Sequence, residues 1–544
     1  MSPRHIAQIS AECSGIAQRG GLGSVVWGLS DALVTAGHRV TVIVPYYEEI
    51  RLAVRPFTTL TISFGGETVP VSVFQGQHGQ LNTLLIHSDS FFRGEYSDIY
   101  IDSGKLGRGY FEDDARRFAF FSRAVAELLL YLYKNNDAVD AIHCHDWHAA
   151  LVHLLIAPHP DFVVLKPVRR VFSVHNLEYQ GTRPWQSDTT PLRWRAADGT
   201  WGLKAFLDWY PELAALGEAE KSPYLDTHAD IPCINPLRAG LAAAHFVTTV
   251  SPTYADEITH PDNPAEDFLG GRGLEADFVK LKREGRLIGI TNAIDMDYYS
   301  AANLHPPFTD INLAEGRRKH KEALLQNLAS LVDRLVKSKS LVPGVEEALC
   351  RKIAAFDITK ALAAPLVTLV SRLTEQKIRL LIDAWGRSTI LEMLLQENCT
   401  LVILGKGNLV GEMARLTQGY PNALLFGGFD DDLEKTLYAA SDFMLMPSEF
   451  EPCGTSQMKA MRYGCLPVAS AVGGLIDTIA DGKNGFLFSG KSREEKSRNF
   501  FGLMSGLIER AADTAVFDTQ RANAMRTEFS WPLVAKSYLP LLVP

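Results

Sequence analysis

Glu449 and Glu451 lie two apart in the stretch 447–464, PSEFEPCGTSQMKAMRYG. The apolar residues 442–446 before them read as a short buried strand stopped at Pro447. Residues 455–463 after them read as a helix closed by Gly464. Both acids therefore sit in a strand-to-helix loop. Strand C-termini of open α/β sheets are where ligands bind, and helix N-termini favour anions such as phosphate. A carboxylate there can accept hydrogen bonds from sugar hydroxyls while neighbouring amides hold a phosphate. A solvated acidic loop with a capping residue has the same spacing, so spacing alone leaves both readings open.

Two other clusters have chemical potential. Arg19-Gly20-Gly21-Leu22-Gly23 is a glycine turn between a strand at 6–10 and a helix at 25–36, where a backbone can approach a ligand closely. It has neither the GxGxxG spacing of a dinucleotide site nor the GKS/T ending of a phosphate-hydrolysing loop. His143-Cys144-His145 invites a metal, but no CxxC or HxxxH pattern accompanies it. A buried thiol near a strand end is the favoured reading, and no metal site is expected.

The elements that must position these residues alternate in type. Strands are predicted at 39–44, 81–87, 141–144, 168–174 and 246–251, with a long helix over 113–133. A second series of strands follows at 366–371, 401–405 and 423–427 before the opening stretch. That rhythm predicts an α/β fold of two facing Rossmann-like domains enclosing a cleft. The boundaries are 1–293 for the first domain, with 289–295 as the crossover, and 294–527 for the second. A helical insertion spans 329–363, broken at Val342-Pro343-Gly344, and a C-terminal helix in 528–544 packs back on the first domain. Each polar cluster falls just beyond a strand's C-terminal end.

The 544 residues carry a net charge of -9, with 46% hydrophobic and 22% charged content, ordinary for a soluble globular chain. Neither nucleic acid nor an anionic membrane is an expected partner. Seven cysteines, an odd number without repeating spacing, make no disulfide framework. No signal-peptide pattern opens the chain, and no apolar run approaches the roughly 18 residues of a membrane span, so a cytoplasmic location is expected.

The literal strings add to this. Phe450-Glu451-Pro452-Cys453-Gly454 with Gln457, Leu466-Pro467-Val468 and Gly473-Gly474-Leu475-Ile476-Asp477-Thr478 resembles the bacterial glycogen synthase and starch synthase family. His145-Asp146-Trp147-His148-Ala149, Val174-His175-Asn176-Leu177 with Tyr179-Gln180-Gly181, residues 248–254, Asn292 with Ile294-Asp295, and residues 370–377 extend the likeness over most of the chain. The resemblance implies a GT-B glycosyltransferase. It would move glucose from ADP-glucose, or UDP-glucose, to the non-reducing end of an α-1,4-glucan such as glycogen, with retention and without a metal or other cofactor. It implies His175, Arg372, Lys377 and Glu451 as catalytic residues. Gln18, Gly20, Gly21, Asn292, Cys453, Gly454 and Thr455 would bind the donor with Arg372 and Lys377, and Asp146, Asn176 and Tyr179 would bind sugar or acceptor.

Physical chemistry supports those roles. A nucleotide-sugar donor leaves as a diphosphate, so charge builds on the bridging phosphate oxygen. Without a metal, cations and amides must stabilise it. Arg372 supplies a bidentate fork and Lys377 a point charge. Glu451 would orient sugar hydroxyls, and Cys453 would form a pocket wall.

Departures from the family pattern cluster in the first half. Gln18 and Ser24 stand where the family has Lys and Asp, the aromatic-Asp-Arg-Pro-Gly stretch is reduced to Phe91-Phe92-Arg93-Gly94, and Arg238 replaces Lys. The Trp- and Tyr-rich segment 184–232 is longer than expected. Two rivals follow: a transferase using a small or oligosaccharide acceptor, and a weakened glucan-binding paralogue.

Overall fold

The computed structural model describes residues 2–101, 112–157, 159–186, 205–229, 232–266, 268–511, 513 and 515–543. The Trp-rich segment 184–232 noted above lies partly outside these residues. Two sheets dominate. The second has six parallel strands in the spatial order Ala423–Gly427, Thr400–Gly405, Leu366–Val370, Phe443–Met446, Leu466–Ser470, Phe486–Phe488. In chain order that is 3-2-1-4-5-6, the doubly wound arrangement of a Rossmann domain. Its central strands are buried along their whole length, which is why they read as continuous apolar runs instead of alternating ones.

The first sheet has nine strands. His5–Ile9 lies between Ala141–His145 and Arg39–Pro45, and every pairing from Leu287–Gly289 across to Leu81–His87 is parallel. An antiparallel hairpin, Val54–Phe64 with Glu67–His78, completes the far edge. The sequence reading did not include this hairpin. The signal was present: Leu60, Ile62 and Phe64 alternate with exposed Thr59, Thr61 and Ser63, and Val69, Val71 and Val73 alternate on the partner strand. Leu287–Gly289, which the sequence reading did not include, adds an edge strand to the first sheet just before the crossover segment 289–295.

Each sheet reverses its strand order once beside its first strand. In the first sheet this falls between His5–Ile9 and Ala141–His145. In the second it falls between Leu366–Val370 and Phe443–Met446. Chains leaving adjacent strands to opposite sides open a crevice at the C-terminal edge. The glycine turn and Asp146 leave the first reversal, and Arg372, Lys377 and Glu451 leave the second.

Helices Leu328–Lys337 and Glu346–Ala354 form the predicted helical pair, with the break around Pro343. Lys352 ties it to the second half by donating to the carbonyls of Thr417, Tyr420 and Ala423 at 2.5, 3.0 and 2.9 Å. The last helix, Trp531–Leu542, packs on Gly21–Thr35 in the first half. A Cβ at Gly28 would sit 2.0 Å from Nε1 of Trp531, so only glycine lets the two helices approach this closely.

Candidate active site

A cleft of about 1460 Å³ runs between the halves, and residues from both reversal points line it. Arg372 follows Leu366–Val370, is exposed, and its guanidinium has no side-chain partner among the described residues. Lys377, in helix Glu375–Ile382, donates to Oε2 of Glu451, which also accepts from Ser448 Oγ at 3.1 Å. Gln376 joins the two loops: its carbonyl accepts from Glu449 N at 3.0 Å, and its amide donates to Phe450 O at 2.9 Å.

The ambiguity between the two acids is resolved by what they face. Glu449 pairs with Arg493 at 3.1 Å and lines a separate, smaller cavity. Glu451 lines the cleft. Cys453, Gly454 and Thr455 line it too, ahead of helix Ser456–Arg462. Burial pushes the Cys453 thiol up to about 12, so it is a wall of the pocket and no thiolate nucleophile. Gly473 and Gly474 let this loop pack closely, because a Cβ on Gly474 would meet Cys453 Cα at 2.4 Å.

From the first half, Asp146 adopts φ +56°, a left-handed conformation that a non-glycine residue holds only where its surroundings enforce it. Its Oδ1 accepts from His175 N at 2.7 Å, so the acid anchors the His175 loop. Burial, with Glu12 nearby, raises the Asp146 carboxyl to about 7. His175 lines the cleft, and burial lowers its imidazole to about 4, so it is neutral at working pH. Asn176 and Asn292 also line the cleft, and Oδ1 of Asn292 is buried without a partner among the described residues. Tyr179 does not; it is 46% exposed and outside the lining. Among the described residues no three His, Cys, Asp or Glu side chains gather as a metal would require.

Contacts beside the cleft join the halves. Ser251 Oγ donates to Pro452 O at 2.7 Å, Thr253 donates to both carboxylate oxygens of Asp477 at 2.8 and 2.9 Å, and Gly473 N donates to Glu257 at 2.8 Å.

Comparison with known proteins gives this arrangement its family. Residues 5–280 match the starch synthase catalytic domain, and residues 364–503 match glycosyl transferases group 1. The glycogen synthase of Streptococcus sanguinis is 32% identical over 555 residues, covering 98% of each chain. That of Thermodesulfovibrio yellowstonii is 30% identical over 563 residues, covering 98% of this chain and 97% of its own. Among solved structures, the catalytic domain of starch synthase IV from Arabidopsis thaliana, bound to ADP and acarbose, superposes with a TM-score of 0.73 at 27% identity over 99% of both chains. The chain belongs to the starch and glycogen synthase family. It is a glycosyltransferase of GT-B fold.

For a starch/glycogen synthase the glycine turn is unusual. Gln18 and Ser24, standing at the family's Lys and Asp positions, bond to each other: Gln18 Nε2 donates to Ser24 Oγ and to Gly20 O, both at 2.9 Å. Both charges are thus lost together and a neutral pair fills the space. Arg19 does not replace the missing cation, because Glu49 holds its guanidinium at 3.0 and 2.6 Å. Beneath the turn, buried Glu12 accepts the N–H of Arg19 at 2.7 Å and of Gly20 at 2.9 Å, and Tyr100 donates to its other oxygen. Those two amides are therefore committed and do not face a ligand. Introducing Gln18→Lys is expected to raise kcat/KM about tenfold, since a charged hydrogen bond contributes about 1.5–3 kcal/mol against about 1 for a neutral one. Initial-rate kinetics on the variant check this, and an unchanged or lower value would remove Gln18 from the donor site.

Phe429, which the sequence reading did not single out, lines the cleft just past strand Ala423–Gly427 and is 48% exposed. Its position after a strand end was the available signal. An exposed ring there gives a flat apolar surface on which a planar group can stack.

Four buried histidines and the half-buried His175 are expected to make the first half acid-sensitive. Burial lowers His148 and His153 to about 3 and His175 to about 4, and holds His143 and His145 well below the ordinary value. The unfolded chain takes up protons below pH 6.5 that these rings refuse, so the stability they permit above 6.5 is lost as pH falls towards 4. Asp146 and Glu257, raised to about 7 by burial, act in the opposite sense, since the folded state keeps their protons up to that pH. Five rings outweigh two carboxyls. The thermal midpoint followed by circular dichroism is expected to fall from pH 7 to pH 5; a rise would show that the carboxyls dominate.

Proposed function

We propose that this chain transfers glucose from ADP-glucose to the non-reducing end of an α-1,4-glucan, with retention and without a metal ion. The observation that carries the reading is convergence at one cleft. The Arg372 guanidinium, without a side-chain partner among the described residues, and the Lys377–Glu451 pair line one side, and His175 and Asp146 line the other. Cations suit a diphosphate leaving group, and carboxylate, imidazole and amide groups suit sugar hydroxyls. The full-length likeness to glycogen synthases supports the glucan acceptor, and the Arabidopsis neighbour, which holds ADP and acarbose, supports adenine over uracil. All seven cysteines are unpaired, which suits the reducing cytoplasm as its place of action. Among the described residues no helix is long and apolar enough to cross a membrane.

The test is incubation with ADP-glucose or UDP-glucose and glycogen, scoring nucleotide release and chain lengthening separately. Both signals with ADP-glucose are expected. Lengthening only of short oligosaccharides would identify a small-acceptor enzyme, and no turnover with either donor would leave a glucan-binding protein. Activity is expected to survive EDTA. Loss on chelation with recovery on adding Mg²⁺ or Mn²⁺ would overturn the assignment of the phosphate charge to Arg372 and Lys377.

A further inference from the structure

His175 is the cleft end of a buried chain of side chains. Its Nε2 lies 3.0 Å from Nδ1 of His145, and Nε2 of His145 lies 2.8 Å from Oε1 of Gln8. Gln8 and His145 are fully buried. The Gln8 Nε2 at the other end of the amide has no hydrogen-bond partner among the described residues, so the facing of Oε1 towards His145 is the one contact that sets the amide's direction. Gln8 and His145 come from the adjacent parallel strands His5–Ile9 and Ala141–His145, and His175 immediately follows the next strand, Arg169–Val174. The chain thus crosses the first sheet at its reversal point, where a sheet of this kind builds its ligand site.

The proton positions along it are coupled. An amide oxygen only accepts, so His145 carries its hydrogen on Nε2. A neutral imidazole has one N–H, and burial keeps His145 neutral. Its Nδ1 is therefore bare and must accept, which requires His175 to donate from Nε2. His175 is itself neutral, so its Nδ1 is the bare nitrogen left over.

We propose that Gln8 and His145 are positioning residues that lock His175 in the Nε2–H tautomer. Through them the ring offers the cleft a hydrogen-bond acceptor and not a donor. The group recognised there is then an O–H that donates, as a sugar hydroxyl does. The identity of that hydroxyl rests on the glucosyl-transfer reading; the tautomer does not. A hydrogen bond at one ring nitrogen sets the protonation of the other, and because each neutral ring carries one N–H the effect is all-or-none along the chain. If the Gln8 amide were turned over, its NH₂ would donate to His145, every proton would shift by one place, and His175 would show the cleft an N–H.

The test reads the tautomer directly. Protein labelled with ¹⁵N in its histidine rings is examined by NMR, with the His175 signals assigned by their loss in His175→Ala. The wild type is expected to show a protonated Nε2 and a bare Nδ1. Gln8→Leu is expected to mix the two tautomers and to lower kcat/KM about three- to tenfold, the size of one neutral hydrogen bond, while affinity for ADP is unchanged. A wild-type proton on Nδ1 overturns the proposal, and so does a Gln8→Leu enzyme with the same tautomer and the same kcat/KM. The wild-type spectrum decides the matter even if Gln8→Leu fails to fold. The expected tautomer in a protein that transfers no glucose would sink the functional reading and leave the lock intact.

Discussion

Arg372→Ala is expected to lower kcat/KM by roughly 30- to 1,000-fold, about 2–4 kcal/mol of transition-state stabilisation, while leaving the thermal midpoint unchanged. The separation of the two readouts follows from its surroundings. The side chain is exposed and its guanidinium bonds to nothing among the described residues, so its removal breaks no side-chain hydrogen bond or ion pair among them. Surface substitutions of that kind usually stay within about 0.5 kcal/mol. A guanidinium held at a cleft without a partner is free to meet a charge that appears only during reaction. Arg372→Lys should recover little, because a point charge does not reproduce the planar fork. Steady-state kinetics beside a melting curve check both halves of the claim. A near-normal kcat/KM would remove Arg372 from the catalytic set.

How far the sequence disclosed this site depends on how local each signal was. Arg372 and Glu451 could be placed because each follows an apolar strand directly, and chain direction then puts both at the C-terminal edge. The 3-2-1-4-5-6 order that sets those two strands side by side is a tertiary fact, and spacing does not contain it. Glu449 and Glu451 are indistinguishable by pattern. What separates them is Arg493, which lies far along the chain and draws Glu449 away from the cleft. The glycine turn was legible as a turn, but Glu12, which accepts two of its amides, and Tyr100, which donates to the other oxygen of Glu12, were not. Tyr179 shows the reverse error. It shares a motif with His175 and Asn176, yet the chain turns outward after Leu177 and carries it to the surface.

The pair formed by Lys377 and Glu451 yields the prediction that separates chemistry from architecture. Their side chains are only 13% and 9% exposed, so neither charge is well solvated. Removing one partner of a buried pair leaves the other uncompensated and typically costs about 3–5 kcal/mol. Lys377→Ala is therefore expected to lower the thermal midpoint and also to cost about 30- to 1,000-fold in kcat/KM, because the ammonium is assigned to the departing phosphate. Glu451→Gln leaves the Lys377 ammonium facing a neutral amide and should lower the midpoint as well. The drop should be smaller than for Lys377→Ala, because the amide oxygen can still accept from Lys377 and Ser448, and the effect on rate should be severe if the carboxylate orients the sugar. The double variant Lys377→Ala/Glu451→Gln decides between the two roles. It contains no orphaned charge, so its midpoint should recover most of what Lys377→Ala lost, while its kcat/KM stays at or below that of the worse single variant. Residues that act on the same reacting centre lose activity non-additively, whereas a structural pair regains function when both charges are removed. A double variant that recovers activity together with stability would show that Lys377 and Glu451 hold the two loops together and leave the phosphate to Arg372 alone.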